Sequence, residues 1–396
     1  MIIGITTEYN PFHAGHLHQI NELRQKFEDV SIIAAMSGSF TQRGEPAILD
    51  KWTRARLAVQ NGVDLIFELP FIFTVRSAQD FARGSIDLLS KLGIVDAVAF
   101  GAECDNLSTL KNIAEMIDSE SIQTRLHSEI RAGSSYAVAV EHSIKHAFPE
   151  HRDILNKPNN LLAVEYLRSI RKLRTNFETI LIPRASADHD ENFLRDGISS
   201  AKSIRDELKK SKPDWSKLSS AVDSNTLDEL RKIYPDQIPN LENFFRPILM
   251  KVFSTNRSEF KNFYGFNEGL ENRLINIAMN ASSYENLIEQ MVSKRYTRAR
   301  ISRLLLYLMF GITHEQILSA DSIGINYARV LAFNSKGRKI LHSIKNSSDI
   351  PVIIKIPDYQ SIMRNDIRAT NLRSLTLPAI SRFQQDFFQS PIFVEE

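Results

Sequence analysis

The segment that most constrains the fold follows the first apolar run of the chain. Residues 2–7 form a short β-branched stretch that leads directly into TEYNPFHAGHLHQI, residues 7–20. Asn10-Pro11 predicts a turn, and Gly15 permits a close backbone approach where the next helix has to begin. A strand, a turn and a helix in this order aim unpaired backbone N–H groups and the positive end of the helix dipole at the carboxyl edge of a sheet. The segment therefore predicts a phosphate-binding site in an α/β fold.

The rest of the first half repeats the alternation of strand and helix. Short apolar runs predict buried parallel strands at residues 2–7, 30–36, 63–69, 95–100 and 179–182. Helical spacing of apolar residues occurs between them, at residues 16–27, 51–61, 77–92, 107–117, 137–146 and 161–173. This alternation predicts an α/β fold with a doubly wound, Rossmann-like parallel sheet.

The second half of the chain has a different character. The polar stretch KKSKPDWSK, residues 209–217, predicts a linker between a first domain at 1–208 and a second domain at 218–396. Strand-like runs nearly disappear after it until residues 352–356, whereas helical periodicity is present at 241–253, 270–279, 284–291 and 298–310. We therefore predict a mainly helical second domain with one small strand unit near its carboxyl end.

Composition limits the compartment and the partners. The chain has 396 residues and one cysteine, Cys104, which excludes an internal disulfide and a Cys-rich zinc site and favours a cytoplasmic location. The amino terminus lacks a signal-peptide pattern, and no apolar run approaches the roughly 20 residues that span a bilayer, so no membrane contact is expected. Lys plus Arg number 49 against 47 Asp plus Glu, a net charge of +2. A nucleic-acid partner would therefore have to bind to a local basic patch.

His13 and His16 are the candidate chemical groups of the turn. Because they lie three residues apart at a helix start, they can reach one ligand from the same side. By itself, such a pair is more often explained by helix caps or surface histidines. A zinc site is a weaker interpretation, since helical zinc ligands favour a spacing of four and no third ligand is evident, so no metal ligand is assigned. Their position directly after the first strand favours a nucleotide site.

Two short motifs carry a resemblance to a known superfamily. His13-Ala14-Gly15-His16 resembles the HxGH signature of the nucleotidyltransferase and class I aminoacyl-tRNA synthetase superfamily, whose histidines contact ATP phosphates. Residues 198–205, ISSAKSIR, resemble its second motif, ISSTxIR, which supplies a serine and an arginine near the phosphates. The threonine of that motif is replaced here by a lysine or a serine, depending on the alignment. The superfamily implies that the first domain is an ATP-binding, nucleotidyltransferase-like catalytic domain of the HUP class.

A narrower resemblance covers most of the chain. It rests on EYNPFHAGH, MSGSFTQRGEPA, KWTRARLA, AFGAE and PNNLLAVEYL in the first half, and on KRYTRARISRLLL and ARVLAFNSKGRKIL in the second. Together these ordered motifs are similar to the tRNA(Met) cytidine acetate ligase family. The resemblance implies an enzyme that activates acetate with ATP, in the presence of Mg²⁺, to form acetyl-adenylate. The enzyme would then transfer the acetyl group to the wobble cytidine of elongator tRNA(Met), giving N(4)-acetylcytidine.

The family pattern implies roles for individual residues. His13, His16 and Arg205 are the implied catalytic groups. The implied ATP-binding residues are Thr7, Glu8, Tyr9, Asn10, Pro11, Phe12, His13, Ala14, Gly15, His16, Leu17, His18, Gln19, Ile20, Gly101, Asn159, Arg184 and Ser203. Glu8 and Glu45 can pair with basic groups around ATP, and for Glu45 a structural role is favoured.

Simpler interpretations exist for some of these residues. Gly101 can be only a turn residue, and Asn159 can cap a helix that starts near Leu161, which is a frequent use of asparagine. Arg184 can be a solvated charge at the end of a strand. Of the two neighbouring asparagines we prefer Asn159 to Asn160 as the ATP contact.

Two stretches of the second half are basic and contain no acidic residue. We term residues 294–310 the first basic stretch and residues 329–345 the second basic stretch. Such runs are often solvated helix faces, but two of them in a chain of almost neutral charge are candidates for RNA contact. The predicted tRNA-binding residues are Lys294, Arg295, Arg298, Arg300, Arg303, Lys336 and Arg338.

Two other functions remain open at the level of the sequence. A small-molecule nucleotidyltransferase that transfers AMP or CMP to a phosphorylated acceptor would use the same turn, but the basic second half argues against it. A non-catalytic RNA-binding module with a vestigial nucleotide site is disfavoured because His13, Gly15 and His16 are all present. The sequence does not predict the oligomeric state.

Overall fold

One sheet organises the computed structural model, which describes residues 1–151, 153–184, 200–267, 269–379 and 383–395. Its strands are β1 (Ile2–Thr7), β2 (Ser31–Ser37), β3 (Leu65–Leu69), β4 (Ala97–Ala102), β5 (Glu178–Pro183), β6 (Ala328–Phe333), β7 (Val352–Ile353) and β8 (Ile392–Phe393). The order is β5-β4-β1-β2-β3-β6-β7, and β8 pairs with β6. β1 to β5 are parallel, and their buried apolar runs are typical of strands covered on both faces. The doubly wound α/β sheet predicted from the sequence is confirmed.

Helices flank the sheet and form most of the second half. They are α1 (Ala14–Lys26), α2 (Lys51–Gln60), α3 (Phe71–Thr74), α4 (Ala78–Lys91), α5 (Leu107–Ile117), α6 (Glu120–Arg131), α7 (Tyr136–Ala147), α8 (Pro158–Lys172), α9 (Ala201–Leu208), α10 (Trp215–Ala221), α11 (Ser224–Ile233), α12 (Phe245–Ser254), α13 (Leu270–Ala278), α14 (Tyr284–Met291), α15 (Arg298–Phe310), α16 (His314–Ile323), α17 (Ser335–Ser347), α18 (Arg364–Leu375) and α19 (Gln385–Phe388). Helix α15 starts where the Thr297 side chain accepts a hydrogen bond from Arg300 N. The bounds predicted for α5, α14 and α15 agree with the structure residue by residue.

β6 corrects an expectation from the sequence, in which strand-like runs nearly disappear between residues 218 and 352. Ala328–Phe333 is a strand, and it pairs antiparallel with β3. Arg329 interrupts the apolar pattern of this strand. Its charge is neutralised by the Glu68 carboxylate 3.1 Å away, a partner that lies far from it in the sequence and is brought close by the fold. The second half therefore contributes strands to the sheet of the first half.

A cluster of buried charges holds β6 against its neighbours. Lys51 Nζ lies 2.8 Å from Glu68 Oε1 and 2.7 Å from Asp386 Oδ1, and Arg329 contacts both carboxylates. All four side chains are buried. Although burial opposes ionisation, Lys51 and Arg329 hold the pKa of Asp386 at about 2. Loss of one member would leave an uncompensated buried charge, which is strongly destabilising.

The helical half packs onto the carboxyl edge of the sheet. Two apolar cores cover the faces of the sheet. A third core contains Leu304 and Phe310 of α15 together with Phe40 and Phe71, which follow β2 and β3. The rings of Phe71 and Phe310 stack with their centroids 4.2 Å apart. This packing brings α15 close to the loops at the ends of the parallel strands.

The predicted linker runs across a smaller core. Leu208 of α9, Leu218 of α10 and Leu230 of α11 share one apolar cluster with Leu57. Because α10 begins at Trp215, only residues 209–214 join α9 to it. The division of the chain into domains at 209–217 stays a prediction. Within the described ranges, no helix combines the length and the apolarity needed to cross a membrane.

Candidate functional site

The carboxyl edge of the sheet has a topological switch point between β1 and β4. Strands β2 and β3 follow β1 on one side, while β4 and β5 extend the sheet on the other side. Open α/β sheets bind ligands in the crevice at such a point. The turn that follows β1 and the start of α1 lie there, so we term residues 8–16 the nucleotide turn.

Local hydrogen bonds orient both imidazoles of the nucleotide turn. His13 is the N-cap of α1, and its Nδ1 accepts a hydrogen bond from Gly15 N at 3.0 Å. His16 Nδ1 accepts one from His13 N at 3.3 Å. Because an accepting ring nitrogen carries no proton, each neutral imidazole has its proton on Nε2. With ring centroids 3.8 Å apart, the two histidines hold two Nε2–H donors side by side.

The surroundings keep both imidazoles neutral. Burial, together with the nearby Arg184 and Arg205 charges, lowers the pKa of His13 to about 4. Burial, His13 and Arg184 lower the pKa of His16 well below its usual value. The Tyr9 ring centroid lies 4.8 Å from that of His16 and contributes to this burial. Two neutral donors beside two arginines favour a ligand with several negative charges.

The other residues predicted from this segment lie on both sides of the histidines. Asn10 is buried, and its Oδ1 accepts a hydrogen bond from Ile48 N at 2.8 Å. The buried neighbours in the turn are Thr7, Tyr9, Pro11 and Phe12. The partly exposed residues of α1 are Ala14, Leu17, His18 and Gln19. Ile20 is 1% exposed and packs in the core of the sheet.

Two arginines from distant parts of the chain lie near the nucleotide turn, and a glycine lies beside one of them. Arg205 Nη1 donates a hydrogen bond to Asn10 O at 2.7 Å, and its Nη2 lies 3.7 Å from Glu45 Oε2. Arg184 directly follows β5. A Cβ on Gly101 would lie 3.4 Å from Arg184 Cγ, so the missing side chain leaves space beside this arginine.

The two asparagines of the PNN segment lie inside the first turn of α8, which begins at Pro158. No side-chain hydrogen bond caps this helix, so the interpretation of Asn159 as a cap is wrong. Asn159 Nδ2 donates to Glu103 Oε1 at 2.6 Å. Asn160 is buried, and its Oδ1 accepts a hydrogen bond from Cys104 N at 2.8 Å. Asn160 therefore supports the backbone that follows β4.

The second motif forms the capped start of α9. Ser200 Oγ accepts a hydrogen bond from Ser203 N at 3.2 Å, and the two hydroxyl oxygens are 3.0 Å apart. Lys202 is exposed. Residues 198 and 199, which open the motif, lie outside the described residues. The cap sets the direction of α9 and so helps to place Arg205 against the nucleotide turn.

Arg54 is a structural cation of the site that the sequence analysis did not identify. Its guanidinium is buried and donates hydrogen bonds to the carbonyl oxygens of Glu8, Gly38 and Leu49. It thereby ties the nucleotide turn to the loop after β2. Glu8 Oε1 also accepts a hydrogen bond from Gln42 N at 2.6 Å, while burial raises the pKa of the Glu8 carboxyl. An arginine on the apolar face of a helix is the signal in the sequence that points to such a role.

The first basic stretch reaches the same edge of the sheet. Arg303 Nη1 donates to Gln42 O at 3.2 Å, in the loop that follows β2, and burial lowers the pKa of Arg303. Arg298 forms an ion pair with Glu285 at the surface. Arg303 thus has a structural contact, whereas Arg298 remains exposed.

The other cations of this stretch lie around one tyrosine. The guanidinium carbons of Arg295 and Arg300 are 5.8 and 4.6 Å from the Tyr296 ring centroid. Lys294 next to them is exposed. Tyr296 itself is buried at 7% exposure, so it packs under these cations and the surface presents mainly positive charge.

The second basic stretch reaches the opposite edge of the sheet. Lys336 Nζ lies 2.7 Å from Asp29 Oδ1 and 2.9 Å from Val30 O, two residues that precede β2. The Arg338 guanidinium carbon lies 4.2 Å from the Phe393 ring centroid. Because the nucleotide turn follows the other end of the parallel strands, Lys336 and Arg338 are not brought together with it.

Comparison with known proteins identifies the family. A model of the HIGH Nucleotidyl Transferase family matches residues 1–386. The tRNA(Met) cytidine acetate ligase of Clostridium kluyveri is 35% identical over 425 residues, which cover 100% of this chain and 99% of the relative. The chain belongs to this ligase family. The tRNA(Met) cytidine acetate ligase of Clostridium novyi is 34% identical over 400 residues, and the alignment covers 100% of both chains.

Two solved structures have the same fold. Thermotoga maritima TmcAL without ligand has a TM-score of 0.91 and 31% identity, with 100% of both chains covered. TmcAL bound with alpha-thio ATP also has a TM-score of 0.91, with 30% identity. The membership in this enzyme family that the motifs predict is confirmed.

Proposed function

We propose that the protein is an ATP-dependent acetate ligase that modifies RNA. It forms acetyl-adenylate from acetate and ATP and transfers the acetyl group to the wobble cytidine of elongator tRNA(Met), giving N(4)-acetylcytidine in the cytoplasm. The observation that carries the proposal is the pair of Nε2–H donors on His13 and His16, beside Arg184 and Arg205 at the switch point. Relatives named tRNA(Met) cytidine acetate ligase and a TmcAL structure bound with alpha-thio ATP support the proposal.

The first chemical step joins acetate to the nucleotide. An acetate oxygen attacks the α-phosphorus of ATP, the bond from that phosphorus to its bridging oxygen breaks, and pyrophosphate leaves with the electron pair. Such a transfer depends on positioning and charge stabilisation rather than on a covalent protein group. His13 and His16 donate hydrogen bonds to phosphate oxygens, and Arg184 and Arg205 stabilise the charge that develops on pyrophosphate.

The rest of ATP is proposed to lie along the segment from Thr7 towards Ile20. Gly101 leaves room for the adenine or the ribose, Asn159 supplies a polar group at the same edge, and Ser203 lies near the phosphates. Mg²⁺ is expected to accompany the phosphates as their counter-ion. In the part of the chain that the structure describes, no group of three or more His, Cys, Asp or Glu side chains is arranged to hold a metal ion, so we assign no protein ligand and no step to it.

The tRNA is proposed to contact the exposed and partly exposed cations of the first basic stretch, Lys294, Arg295, Arg298 and Arg300. Contacts of this kind to phosphates position an RNA without reading its sequence. Arg303 stabilises this surface through its hydrogen bond to Gln42 O in the loop after β2. We leave Lys336 and Arg338 out of this surface because they lie at the opposite edge of the sheet.

Incubation of the purified protein with ATP, labelled acetate and a tRNA pool tests the proposal. Labelled N(4)-acetylcytidine should form in tRNA, with AMP and pyrophosphate released in equal amounts. Release of ADP and phosphate instead would contradict the adenylate route. Joining of AMP or CMP to a phosphorylated small molecule would favour the nucleotidyltransferase alternative, and tRNA binding without any turnover would favour a non-catalytic module.

A further inference from the structure

A cleft of about 550 Å³ is lined by Arg205, which contacts the nucleotide turn, and by Arg298 of the first basic stretch. The loop after β2, the end of α9, residues 234–242 and the starts of α14 and α15 form its walls. Its volume is within the range of about 300–1,000 Å³ that is typical of small-molecule sites. Of the proposed nucleotide contacts, Arg205 also lines the cleft, and the rest of its lining is available to a second substrate.

One side of the cleft is continuous with the nucleotide turn. Arg205 lines the cleft, and the same guanidinium donates a hydrogen bond to Asn10 O and lowers the pKa of His13. Glu45 lines the same side, with Oε2 3.7 Å from Arg205 Nη2. A molecule in the cleft would therefore lie next to the groups that are proposed to hold the reacting phosphate.

Another side of the cleft belongs to the proposed RNA surface. Arg298 and Glu285 line it and pair with each other, although their side chains remain 47% and 53% exposed. A surface ion pair of this kind is weak, so an RNA phosphate can replace Glu285 as the partner of Arg298. An RNA strand bound to the first basic stretch can thus place one of its nucleosides in the cleft. That nucleoside would lie between the RNA backbone and the nucleotide turn.

The lining suits an aromatic base with a polar edge. Tyr234, Ile48 and Ile238 line it with aromatic and apolar residues. Glu45, Glu242 and Arg298 are its polar residues, whereas the Tyr284 side chain is 4% exposed and hydrogen-bonded to Ser302. Aromatic rings beside hydrogen-bonding groups are how proteins bind bases that have left an RNA stack.

The carboxylates of the cleft differ in what they already bind. Glu242 Oε2 accepts a hydrogen bond from Tyr284 N at 2.9 Å, and Glu285 is paired with its arginine. Among the described residues, no hydrogen bond reaches the Glu45 carboxylate, whose contact with Arg205 spans 3.7 Å. Glu45 is therefore the carboxylate of the cleft that is available as a proton acceptor.

We propose that this cleft receives the acceptor nucleoside, a pyrimidine with an exocyclic amine that has left its RNA stack, and that Glu45 accepts the proton that the amine loses. The inference rests on the proposed function and names the second half of the same site. The amine nitrogen attacks the acetyl carbonyl carbon and forms the C–N bond. The bond from that carbon to the phosphate oxygen breaks, AMP leaves with the electron pair, and the amine proton passes to Glu45. A base without an exocyclic amine cannot complete this step.

Separate measurement of the two half-reactions tests the role of Glu45. Glu45→Gln should lower single-turnover transfer from preformed acetyl-adenylate to tRNA by on the order of a hundredfold, which is typical for loss of a general base. Acetate-dependent exchange of pyrophosphate into ATP should fall by a much smaller factor, and Glu45→Asp should recover part of the transfer rate. Glu289→Gln, an exposed position on α14, is the matched control. Equal losses in both half-reactions, or transfer at the wild-type rate, would overturn the assignment.

A tRNA that carries 4-thiouridine at the accepting position tests the cleft independently of acetyl transfer. Irradiation of its complex with the protein should give cross-links in peptides that contain Tyr234, Glu242 or Tyr284. Normal acetate-dependent exchange together with cross-links confined to residues 336–345 would overturn the cleft assignment alone. Absence of that exchange in the wild-type protein would instead overturn the proposed function.

Discussion

The two basic stretches look alike in the sequence and lie at opposite edges of the sheet. Each contains five cations and no acidic residue. The first packs against the loop that follows β2, whereas the second continues from β6 into α17 and contacts the residues that precede β2. Since β2 has seven residues, about 20 Å of strand separates the two edges.

The stretches also differ in what neutralises their charges. In the second stretch, Arg329 is buried between Glu68 and Asp386, and Lys336 is paired with Asp29. In the first stretch, Arg298 pairs with Glu285 at the surface and lines the cleft that leads to the nucleotide turn. A run of like charges in a sequence therefore becomes a candidate RNA site only where the fold leaves it exposed next to the reacting groups.

Arg329→Met should have the largest effect, and on stability rather than on RNA binding. The change leaves the buried Glu68 and Asp386 carboxylates with one cation instead of two, and breaking such a cluster typically lowers the free energy of unfolding by about 3–5 kcal/mol. Denaturant unfolding measures the loss. Lys339→Met, at an exposed position of the same stretch, is the control. Equal stability of the two variants would show that the charges of β6 do not hold the sheet together.

His13→Asn should cut acetyl-adenylate formation by about a hundredfold to a thousandfold, the usual effect of losing one charge-stabilising donor. Asparagine keeps an oxygen near the position of Nδ1 and is a good N-cap, so α1 should stay folded, but it has no group in the place of Nε2–H. Acetate-dependent pyrophosphate exchange gives the rate, and circular dichroism checks the fold. A rate within a few-fold of wild type would remove His13 from the reacting groups.

The same variant should change how stability depends on pH. The pKa of His13 is lowered to about 4 in the folded protein, so below its unfolded value near 6.5 the unfolded chain binds a proton that the folded chain does not. The stability that this group contributes is complete above pH 6.5 and is lost as the pH falls towards 4. The unfolding free energy of the wild type should therefore fall by up to about 3 kcal/mol more than that of His13→Asn over this range. Parallel curves for the two proteins would contradict a neutral, buried His13.

Replacing Arg295 and Arg300 together by alanine should weaken tRNA binding by about tenfold. The slope of log binding constant against log salt concentration should become shallower by about one to two, because fewer counter-ions are released from the RNA. Both guanidinium groups are partly exposed and lie in a region remote from the nucleotide turn in sequence, so the fold and adenylate formation should be retained. Filter binding at several salt concentrations measures the slope. An unchanged slope would place the RNA on another surface.

Replacing Lys336 and Arg338 together by alanine should have the smallest effect, a change in tRNA affinity of less than about twofold with the same salt slope. These cations lie beyond the amino ends of the strands, away from the nucleotide turn. The same filter-binding series applies. A loss as large as that of the Arg295 and Arg300 variant would break the distinction between the two stretches.

Much of the fold is predictable because its determinants are local. The parallel strands are continuous apolar runs, and α5, α14 and α15 have helical periodicity that agrees with their observed bounds. β6 is the exception, because Arg329 adds a charge to its apolar run. That charge can be buried only because the fold places Glu68 beside it. The α8 boundary also differs, since the helix starts at Pro158 without a side-chain cap.

What the sequence by itself determined is the chemistry of the nucleotide turn. The hydrogen bonds that orient His13 and His16 span no more than three residues, so the order of strand, turn, glycine and helix is enough to specify them. The tertiary structure alone decided that Arg205 lies against the turn and that Glu45 faces a cleft. It also decided which basic stretch lies near that cleft. These contacts join residues that are far apart in the chain, where the fold rather than the local pattern sets the distance, the burial and the partner of each charge.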